Sequence, residues 1–577
     1  MTEQEENLQI RIRELEKEIA RLHTQIKEQR YGLTWLDVPE AFETESENKI
    51  PILEEVKDKA IDEGGKTPPH IIIEGDNYHA LTCLNYTHRG RIDVIYIDPP
   101  YNTGSDGFTY KDKRFLKEFP DGSPVPKEHP LRHSYWLSFM SKRLELAKNL
   151  LSDKGVIFIS IDDNEQANLK LLCDKVFGED NFVGNYIWRK KYGGGQAVDY
   201  FSTEHEYIAV YRKTDKMYWQ DEVIERSSKE FTHKDENGLY KTTKLAKWGN
   251  TARREDRPTM YFPIIAPDNT ECYPIAPDGN DGRWRIGKNK MNQLIEANLI
   301  KWEKKGGKWI PYEKEYFYGQ QKTIKDRSIL YEVAETGDGS NVLTDIFGTK
   351  DRFLNPKPVE ILSKIIRKVS NNNLEFTILD FFAGSGTTLH AVMKLNAEDG
   401  GNRQCILVQQ REGDNNICEN VTYERNRRVM CGYTNAKGEQ VEGLGGRLKY
   451  YKSAFVGKNP SKSATDDDRV ELAQKAGCLL ALGENTLDEI TSTNLYQIFA
   501  DCERKKYTAI FFTEEYMKLP EFVAEVEKLQ SSGGEIAVYI FSWGQPDIFE
   551  NEFNSLDGIS LKAIPQPILD VYKSLNQ

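Results

Sequence analysis

The feature of this sequence that most limits its fold is an alternation of short apolar runs with amphipathic stretches. Apolar runs at residues 71–73, 94–97 and 156–161 are separated by helix-like segments, of which residues 134–151 form the longest. Strands that alternate with helices are typical of a parallel α/β sheet, because a parallel connection must cross the sheet before the next strand begins. The first part of the chain therefore predicts an α/β fold.

The alternation stops near residue 220 and returns near residue 376. In between, clusters of Gly, Pro, Asn and Asp stand among many aromatic residues, which indicates an inserted domain. A strand at 376–379, a glycine-rich turn, a helix from Thr387 and a strand at 405–408 then continue the sheet. A polar linker precedes a final helix, strand, helix, strand pattern, predicted at residues 470–482, 507–512, 520–530 and 536–541.

These patterns divide the chain into five predicted segments. They are an N-terminal helix (1–30), the first half of the sheet domain (31–219), an inserted domain (220–345), the second half of the sheet domain (346–457) and a small α/β domain (458–577). Within the first, Leu8, Ile12, Leu15, Ile19, Leu22 and Ile26 follow a heptad spacing. Two interpretations stay open: a short parallel two-stranded coiled coil, or an amphipathic helix packed on its own domain.

Composition indicates an ordinary globular protein. Of 577 residues, 38% are hydrophobic and 29% charged, and such a length exceeds what a single core holds. No apolar run is long enough to span a membrane and the first residues are acidic, so we expect a cytoplasmic protein without a membrane segment. The eight cysteines form no C-x-x-C pair, so we expect neither a metal site nor disulfides.

A net charge of -13 argues against a nucleic-acid partner, but the charge is unevenly distributed. Residues 283–327 carry twelve Lys or Arg against five Asp or Glu, with aromatic residues interleaved. This segment is either an ordinary solvent-exposed surface or a DNA-binding surface. The candidate DNA contacts are Arg283, Arg285, Lys304, Lys305 and Lys308.

The first motif with a chemical meaning is Asp98, Pro99, Pro100 and Tyr101, directly after an apolar strand. Ligands of open parallel sheets bind at the carboxyl ends of strands. The two prolines lack N–H donors and hold the backbone extended, which leaves carbonyl oxygens to accept hydrogen bonds. A carboxylate beside such carbonyls suits an amino group, and the Tyr101 ring could stack on a planar base. A plain strand followed by a turn remains the alternative.

The second motif is a glycine-rich turn between the strand at 376–379 and the helix from Thr387. Gly384 and Gly386 permit left-handed backbone and close approach of a ligand, and the helix N-terminus that follows favours a carboxylate. A dinucleotide-binding turn would have a third glycine where Leu389 stands, and the lysine of a nucleotide-binding P-loop is absent. The turn alone does not identify its cofactor, but a cofactor with an amino-acid carboxylate would fit it.

Together the two motifs resemble those of the amino-methyltransferase family of DNA methyltransferases, and their order resembles the β class. The resemblance implies a Rossmann-like S-adenosylmethionine-dependent methyltransferase sheet with an inserted target-recognition domain. It also implies methyl transfer from S-adenosyl-L-methionine to the exocyclic amine of an adenine that is flipped out of double-stranded DNA. Asp98 at the first motif position favours adenine, because the cytosine enzymes of the family usually have Ser there.

The resemblance extends to individual positions. It implies a catalytic role for Asp98, Pro99, Pro100 and Tyr101, in which the amine bonds to Asp98 and the Pro99 carbonyl, so that no cysteine nucleophile is needed. The implied cofactor contacts are Asp76, Phe353, Lys357, Pro358, Asp380, Phe382, Gly384, Gly386 and Thr387. The ribose partner is either Gln410 or Glu412, since the strand at 405–408 does not end in the usual acid.

Over residues 75–457 the sequence resembles the Mod subunits of type III restriction-modification systems. This resemblance implies a homodimer that recognises a short asymmetric DNA site and associates with a Res-type restriction subunit. Three other functions stay open: methylation of cytosine N4, methylation of a protein glutamine or RNA by relatives that usually carry Asn in place of Asp98, and a catalytically silent DNA-specificity module.

Overall fold

In the computed structural model the chain forms two compact units. The larger unit comprises the residues up to Gln220 and from Arg327 onward, and the smaller unit is Asp221–Asp326. The structure describes residues 33, 35–37, 49–64, 68–103, 124, 129–193, 200, 202–225, 227–318, 321–350, 352–370, 374–411, 416–531, 533–544, 546–553, 556 and 558–575. The predicted N-terminal heptads lie outside these residues.

The larger unit is built on one mixed sheet. The order of its paired strands is Ile50–Glu55, Arg447–Val456, His70–Glu74, Gln404–Gln409, Thr377–Asp380, Ile92–Ile97, Leu151–Ile161, His205–Arg212, Phe182–Arg189 and Ile329–Leu330, with Ile61–Asp62 beside Arg447–Val456. The six strands from Arg447–Val456 to Leu151–Ile161 run parallel, and antiparallel pairs flank them. The predicted parallel α/β sheet is confirmed.

Helices cover both faces of this sheet. They are Asn77–Thr87, Ser134–Leu150, Gln166–Phe177, Thr336–Phe347, Val359–Val369, Thr387–Asp399 and Glu424–Cys431. Alternate strand residues enter two different cores: Ile71 and Ile73 pack on one side, and Ile72 packs on the other. Burial on both faces explains why these strands are continuous apolar runs in the sequence.

The two motifs come together through direct strand pairing. Ile92–Ile97 precedes Asp98 and is called here the Asp98 strand, and Thr377–Asp380 precedes the glycine turn and is called the glycine-turn strand. The two are parallel neighbours, with Ile378 opposite Val94 and Leu379 opposite Ile95. Parallel neighbours end at the same edge of a sheet, so motifs almost 300 residues apart in the chain open at one place.

The boundaries of the inserted domain differ from the predicted 220–345. The strand Ile329–Leu330 pairs with Phe182–Arg189, and the helix Thr336–Phe347 contributes Leu343 and Ile346 to the core of the larger unit. The smaller unit therefore ends at Asp326. The glycines and aspartate near residue 337 have low helix propensity, but tertiary packing stabilises a helix there.

The C-terminal segment also differs from the prediction of a separate domain. It forms a five-stranded sheet of Asp488–Ser492, Tyr496–Ala500, Lys506–Phe511, Glu535–Phe541 and Ile559–Ile564, with helices Asp466–Lys475, Gly477–Glu484, Leu519–Ser531 and Gln566–Leu575. Leu480, Leu569 and Tyr572 belong to the same core as Leu81 and Leu84 of the helix Asn77–Thr87. The predicted helix at 470–482 is two helices that divide at Ala476.

The smaller unit has its own core. Its main sheet contains Ile300–Lys305, Lys308–Tyr316, Gly238–Lys244 and His233–Asp235, and two two-stranded sheets pair Glu222–Glu225 with Gln321–Ile324 and Ile264–Ile265 with Glu271–Cys272. The helix Lys288–Glu296 packs Met291 and Leu294 against the buried Trp284.

Within the parts of the chain that the structure describes, no helix has the length and apolar character to cross a membrane. No group of three or more His, Cys, Asp or Glu residues among them has the arrangement to hold a metal ion.

Candidate active site

A cavity of about 620 Å³ opens where the Asp98 strand and the glycine-turn strand end. All its lining residues belong to the larger unit. Asp98, Pro99, Pro100 and Tyr101 line it, together with Phe353, Lys357, Asp380, Phe382, Gly384 and Thr387. Its size is within the range of sites that enclose small ligands.

The Asp98 carboxylate is at the centre of a polar cluster. Its Oδ1 accepts a hydrogen bond from the Tyr101 hydroxyl at 2.6 Å and lies 3.0 Å from the Lys357 ammonium. Lys357 Nζ also donates to the Tyr101 hydroxyl oxygen at 2.8 Å and pairs with Glu206 at 3.1 Å. Glu206 is further paired with Lys190 at 3.0 Å. Two carboxylates and two ammonium groups thus balance each other at one end of the cavity.

The pKa values of this cluster reflect the balance. Burial opposes the charged form of Lys357, but Asp98 and Glu206 outweigh it and raise the lysine's pKa above its ordinary value. Burial also opposes the Glu206 carboxylate, but Lys357 and Lys190 outweigh it and lower its pKa. Burial, followed by the charges of Asp98 and Glu206, raises the pKa of Tyr101 well above its ordinary value. Lys357 and Glu206 are therefore charged and Tyr101 is neutral at physiological pH.

The backbone around the two prolines is anchored from behind. The Pro100 carbonyl, predicted to remain available to a ligand, accepts a hydrogen bond from Nε1 of the buried Trp136 at 2.7 Å. Asn102 has a positive φ of 59° and donates from Nδ2 to the buried Glu165 at 2.6 Å. These contacts fix the backbone direction at Tyr101. Because the Pro100 carbonyl already accepts a hydrogen bond from Trp136, the Pro99 carbonyl is the one that we still expect to bind a ligand.

The glycine turn is held by residues at and after the end of the strand Gln404–Gln409. Gly384 and Gly386 both have left-handed φ values, 51° and 74°. The Gly384 N–H donates to Oε1 of the buried Gln409 at 2.7 Å, and its carbonyl accepts from the Thr422 hydroxyl at 2.6 Å. The fully buried Arg425 donates to Thr387 Oγ1 at 2.7 Å and to Ser385 Oγ at 3.0 Å.

Asp380 has a different environment from Asp98. Its side chain is 2% exposed and accepts hydrogen bonds from two neutral donors, the Phe382 N–H at 3.0 Å and the Thr388 hydroxyl at 2.5 Å. Burial raises the pKa of Asp380 to about 7, against the two hydrogen bonds. A nearby cation would favour its ionised form, so this wall of the cavity suits a ligand with positive charge.

The predicted cofactor contacts divide into two groups. Phe353, Lys357, Asp380, Phe382, Gly384 and Thr387 line the cavity, whereas Asp76, Pro358, Gly386 and Gln410 do not. Asp76 caps the helix Asn77–Thr87 and pairs with Arg143 at 3.2 Å, and Pro358 caps the helix Val359–Val369. A Cβ on Gly386 would meet Asn426 and Thr422, so this glycine serves packing behind the turn. Glu412 lies outside the described residues.

Sequence reasoning missed several polar residues of the site, among them Glu206, which lines the cavity, and Gln409, which supports the glycine turn. Glu206 lies in the strand His205–Arg212, where it is 8% exposed, and Gln409 ends the strand Gln404–Gln409, where it is 1% exposed. The available signal was a polar residue at the boundary of an apolar strand. That signal is weak because most such residues are simply exposed.

The predicted DNA contacts in the smaller unit are not equivalent. The Arg283 side chain is buried and donates to the Thr251 carbonyl at 2.5 Å and to the Thr251 hydroxyl at 3.1 Å, so it serves the core and is a wrong candidate. Arg285 and Lys308 are exposed, and the side chains of Lys304 and Lys305 are 52% and 63% exposed.

Comparison with known proteins identifies a family. A model of the DNA methylase family matches residues 92–419, which is more than half of the chain. The Mod subunit of the type III restriction-modification enzyme EcoPI from Escherichia phage P1 is 34% identical over 421 residues, 67% of this chain and 65% of that protein. The StyLTI Mod subunit from Salmonella typhimurium is 36% identical over 62% of this chain and 55% of that protein.

A type II methyltransferase, M.KpnI from Klebsiella pneumoniae, is 35% identical over 349 residues, 58% of this chain and 79% of that protein. The similarity to the two Mod subunits spans less than two thirds of their lengths. Both motifs at the cavity lie within the residues that the family model matches.

Proposed function

The chain belongs to the DNA methylase family, and from this premise we propose that it methylates N6 of adenine in double-stranded DNA with S-adenosyl-L-methionine as the methyl donor. The observation that carries this proposal is the single cavity in which Asp98, Tyr101 and the glycine turn meet. A base amine at Asp98 and a cofactor at the turn would then be adjacent, as a direct methyl transfer requires.

The Asp98 side of the cavity suits the amine of a flipped base. The nitrogen lone pair of adenine N6 is delocalised into the ring, and hydrogen bonds from the amine to the Asp98 carboxylate localise it again. Tyr101 is held at its hydroxyl by Asp98 and Lys357, which leaves its ring to stack on the base. Stacking offsets part of the few kcal/mol that flipping a base out of the duplex costs.

The other side of the cavity fits the proposed cofactor. Phe353 lies close to Gly384: a Cβ on residue 384 would come within 3.0 Å of the Phe353 ring. We infer that glycine is needed at this position to leave room for a ligand. The N-terminus of the helix Thr387–Asp399 suits the carboxylate of an amino acid, and buried Asp380 suits its ammonium group. When bound, S-adenosyl-L-methionine supplies a methyl group on a sulfonium.

The relatives suggest the wider role. We propose that the chain is a Mod-type subunit of a type III restriction-modification system, because two relatives with that name share 34% and 36% identity with it. A homodimer, a cytoplasmic location and association with a Res-type subunit belong to this proposal. The exposed lysines of the smaller unit are its candidate DNA contacts.

The experiment that tests the activity is sequencing of modified bases in DNA from cells that express the protein. We expect N6-methyladenine at one short asymmetric sequence. Methylation at cytosine N4, or no methylation with a purified protein that binds both DNA and cofactor, would contradict the proposal.

The matched variant is Asp98→Asn, which keeps the size of the side chain but removes its charge. Methyl transfer should fall by at least about 100-fold, while calorimetric affinity for S-adenosyl-L-methionine should stay within about threefold, because Asp98 is assigned to the amine. A parallel loss of both would assign Asp98 to the cofactor instead.

A further inference from the structure

We propose that Lys357 recognises the target base by donating a hydrogen bond to ring nitrogen N1 of the adenine whose amine is bound by Asp98. This inference rests on the proposed function and adds a specificity-determining contact to it. The resemblance implied a cofactor contact for Lys357, and the structure gives this residue different partners.

The contacts of Lys357 lie on the base side of the cavity. Its ammonium group bonds to Asp98 at 3.0 Å, to Glu206 at 3.1 Å and to the Tyr101 hydroxyl at 2.8 Å. It lies 5.1 Å from the centre of the Tyr101 ring, which is the proposed stacking platform. The side chain is 10% exposed and lines the cavity. A base stacked on Tyr101 would therefore bring its edge to Asp98 and Lys357 together.

Asp98 and Lys357 form a complementary pair for one edge of adenine. An ionised carboxylate only accepts hydrogen bonds and an ammonium only donates them. The Watson–Crick edge of adenine presents the reverse order, an amine that donates beside N1 that accepts, and flipped bases are read on this edge. Bases with a carbonyl in place of the amine would set an acceptor against Asp98 and an N–H against Lys357. The pair thus selects amine-bearing bases, and cytosine carries the same edge as adenine.

Glu206 holds the Lys357 ammonium group in position when a base enters the cavity. The three donor hydrogens of Lys357 already have three partners, so one of these contacts must give way when N1 takes a donor. Glu206 is 8% exposed, contacts Lys357 from another strand and is itself paired with Lys190. It therefore keeps the ammonium in place and charged while one of its donor hydrogens turns to N1. Removal of Glu206 should therefore weaken the contact between Lys357 and N1.

The test is a cycle of enzyme and substrate changes. Duplex oligonucleotides that carry the methylation site are made with adenine, 1-deazaadenine or 7-deazaadenine at the target position, and kcat/KM is measured for each. The wild type should prefer adenine over 1-deazaadenine, which lacks N1. In Lys357→Met this preference should shrink by about 10-fold or more, the worth of a hydrogen bond from a charged donor. Comparing ratios cancels the different intrinsic reactivity of the analogue amines.

Three comparisons make the outcome specific. Lys357→Arg keeps a charged donor and should keep most of the preference. Lys190→Met removes the other ammonium group paired with Glu206 and should leave the ratio unchanged. The preference of adenine over 7-deazaadenine should be equal in wild type and Lys357→Met, and a change there instead of at N1 would overturn the assignment. Because Lys357→Met leaves the Asp98 and Glu206 carboxylates together without the ammonium between them, Lys357→Met with Glu206→Gln is the variant to use if the single change does not fold.

The result that overturns the inference is an unchanged adenine to 1-deazaadenine ratio in an active Lys357→Met or Lys357→Met, Glu206→Gln protein. This outcome differs from failure of the proposed function, in which the wild type itself would not methylate the adenine substrate.

Discussion

At the scale of single residues, two of the aspartates that line the cavity, Asp98 and Asp380, have opposite environments. Asp98 faces Lys357, whereas the hydrogen bonds of Asp380 come from a backbone N–H and a hydroxyl. Burial with neutral partners raises the pKa of Asp380 to about 7, so near neutral pH part of the protein carries this group protonated. Because protons and a bound cation compete for this carboxylate, the affinity for the cation should depend on pH.

We predict that affinity for S-adenosyl-L-methionine rises with pH through 7. The ammonium group of the cofactor favours ionised Asp380, and protons compete for that carboxylate below its pKa. With a pKa of about 7, the dissociation constant should fall by about 10-fold between pH 6 and pH 8. Calorimetry at constant ionic strength measures this, and Asp380→Asn should bind more weakly with a flat profile. An equally steep profile in the variant would assign the proton to another group.

At the scale of elements, the helix Thr387–Asp399 has a left-handed glycine at each end. Gly386 precedes it with φ of 74°, and Gly400 follows it with φ of 72°. A Cβ on Gly386 would strike Asn426 and Thr422, whereas a Cβ on Gly400 would meet no atom within 4 Å. The two positions share a backbone conformation and differ in their surroundings, which makes them a matched pair.

We predict that alanine has different effects at these two glycines. Gly400→Ala should lower the free energy of unfolding by about 1 kcal/mol, the cost of left-handed backbone, and leave cofactor affinity unchanged. Gly386→Ala should cost about 1–3 kcal/mol more through overpacking and weaken cofactor binding by at least about 10-fold, because the turn must shift. Denaturation and calorimetry on both variants measure this. Normal cofactor affinity in Gly386→Ala would show that the glycine turn does not contribute to cofactor binding.

The hairpin of Ile300–Lys305 and Lys308–Tyr316 is the element on which the DNA proposal is best tested. It turns at Gly306 and Gly307 and places Lys304, Lys305 and Lys308 around its tip, where all three are exposed. Arg283, from the same basic segment, is buried, so sequence position alone does not identify a DNA contact.

We predict that changing Lys304, Lys305 and Lys308 together to Gln weakens DNA binding and reduces its salt dependence. Each phosphate contact contributes about 0.9 to the slope of log affinity against log salt concentration, so the slope should fall by about one to three. Binding isotherms at several salt concentrations give the slope, and cofactor affinity is the internal control. An unchanged slope would leave the hairpin an ordinary solvated surface.

At the scale of the whole molecule, the C-terminal segment is part of the larger unit. Tyr572 in the helix Gln566–Leu575 is 1% exposed, and its hydroxyl donates to the Pro51 carbonyl at 3.1 Å. Its neighbours in the core include Leu81, Cys83 and Leu84 of the helix that follows His70–Glu74. Residues more than 480 positions apart in sequence thus share one hydrophobic core.

We predict that Tyr572→Ala destabilises the mixed sheet of the larger unit as well as the C-terminal segment. Loss of a buried aromatic ring should cost about 3–5 kcal/mol. Hydrogen exchange should show faster opening in His70–Glu74 and Ile92–Ile97 as well as in Ile559–Ile564. Met517→Ala, at a side chain that is 95% exposed, is the control and should change stability by less than about 0.5 kcal/mol. Faster exchange confined to the C-terminal sheet would indicate independent folding.

The sequence alone determined the sheet, the two motifs and the family. Apolar runs identified the central strands to within a few residues, because a strand buried on both faces needs side chains of one kind along its length. Asp98 and the glycine turn were recognisable because Gly and Pro impose their backbone conformations locally. Their meeting at one edge follows from parallel pairing and needed no coordinates.

Only the tertiary structure decided which partners the polar side chains take. Lys357 and Tyr101 are 256 residues apart, and nothing near either residue indicates their bond. The same holds for Glu206, for the Pro100 carbonyl that Trp136 occupies, and for Asp76, which caps a helix. A hydrogen bond acts over about 3 Å, so its partner depends on how distant segments pack, whereas hydrophobic periodicity and backbone preference are properties of neighbouring residues.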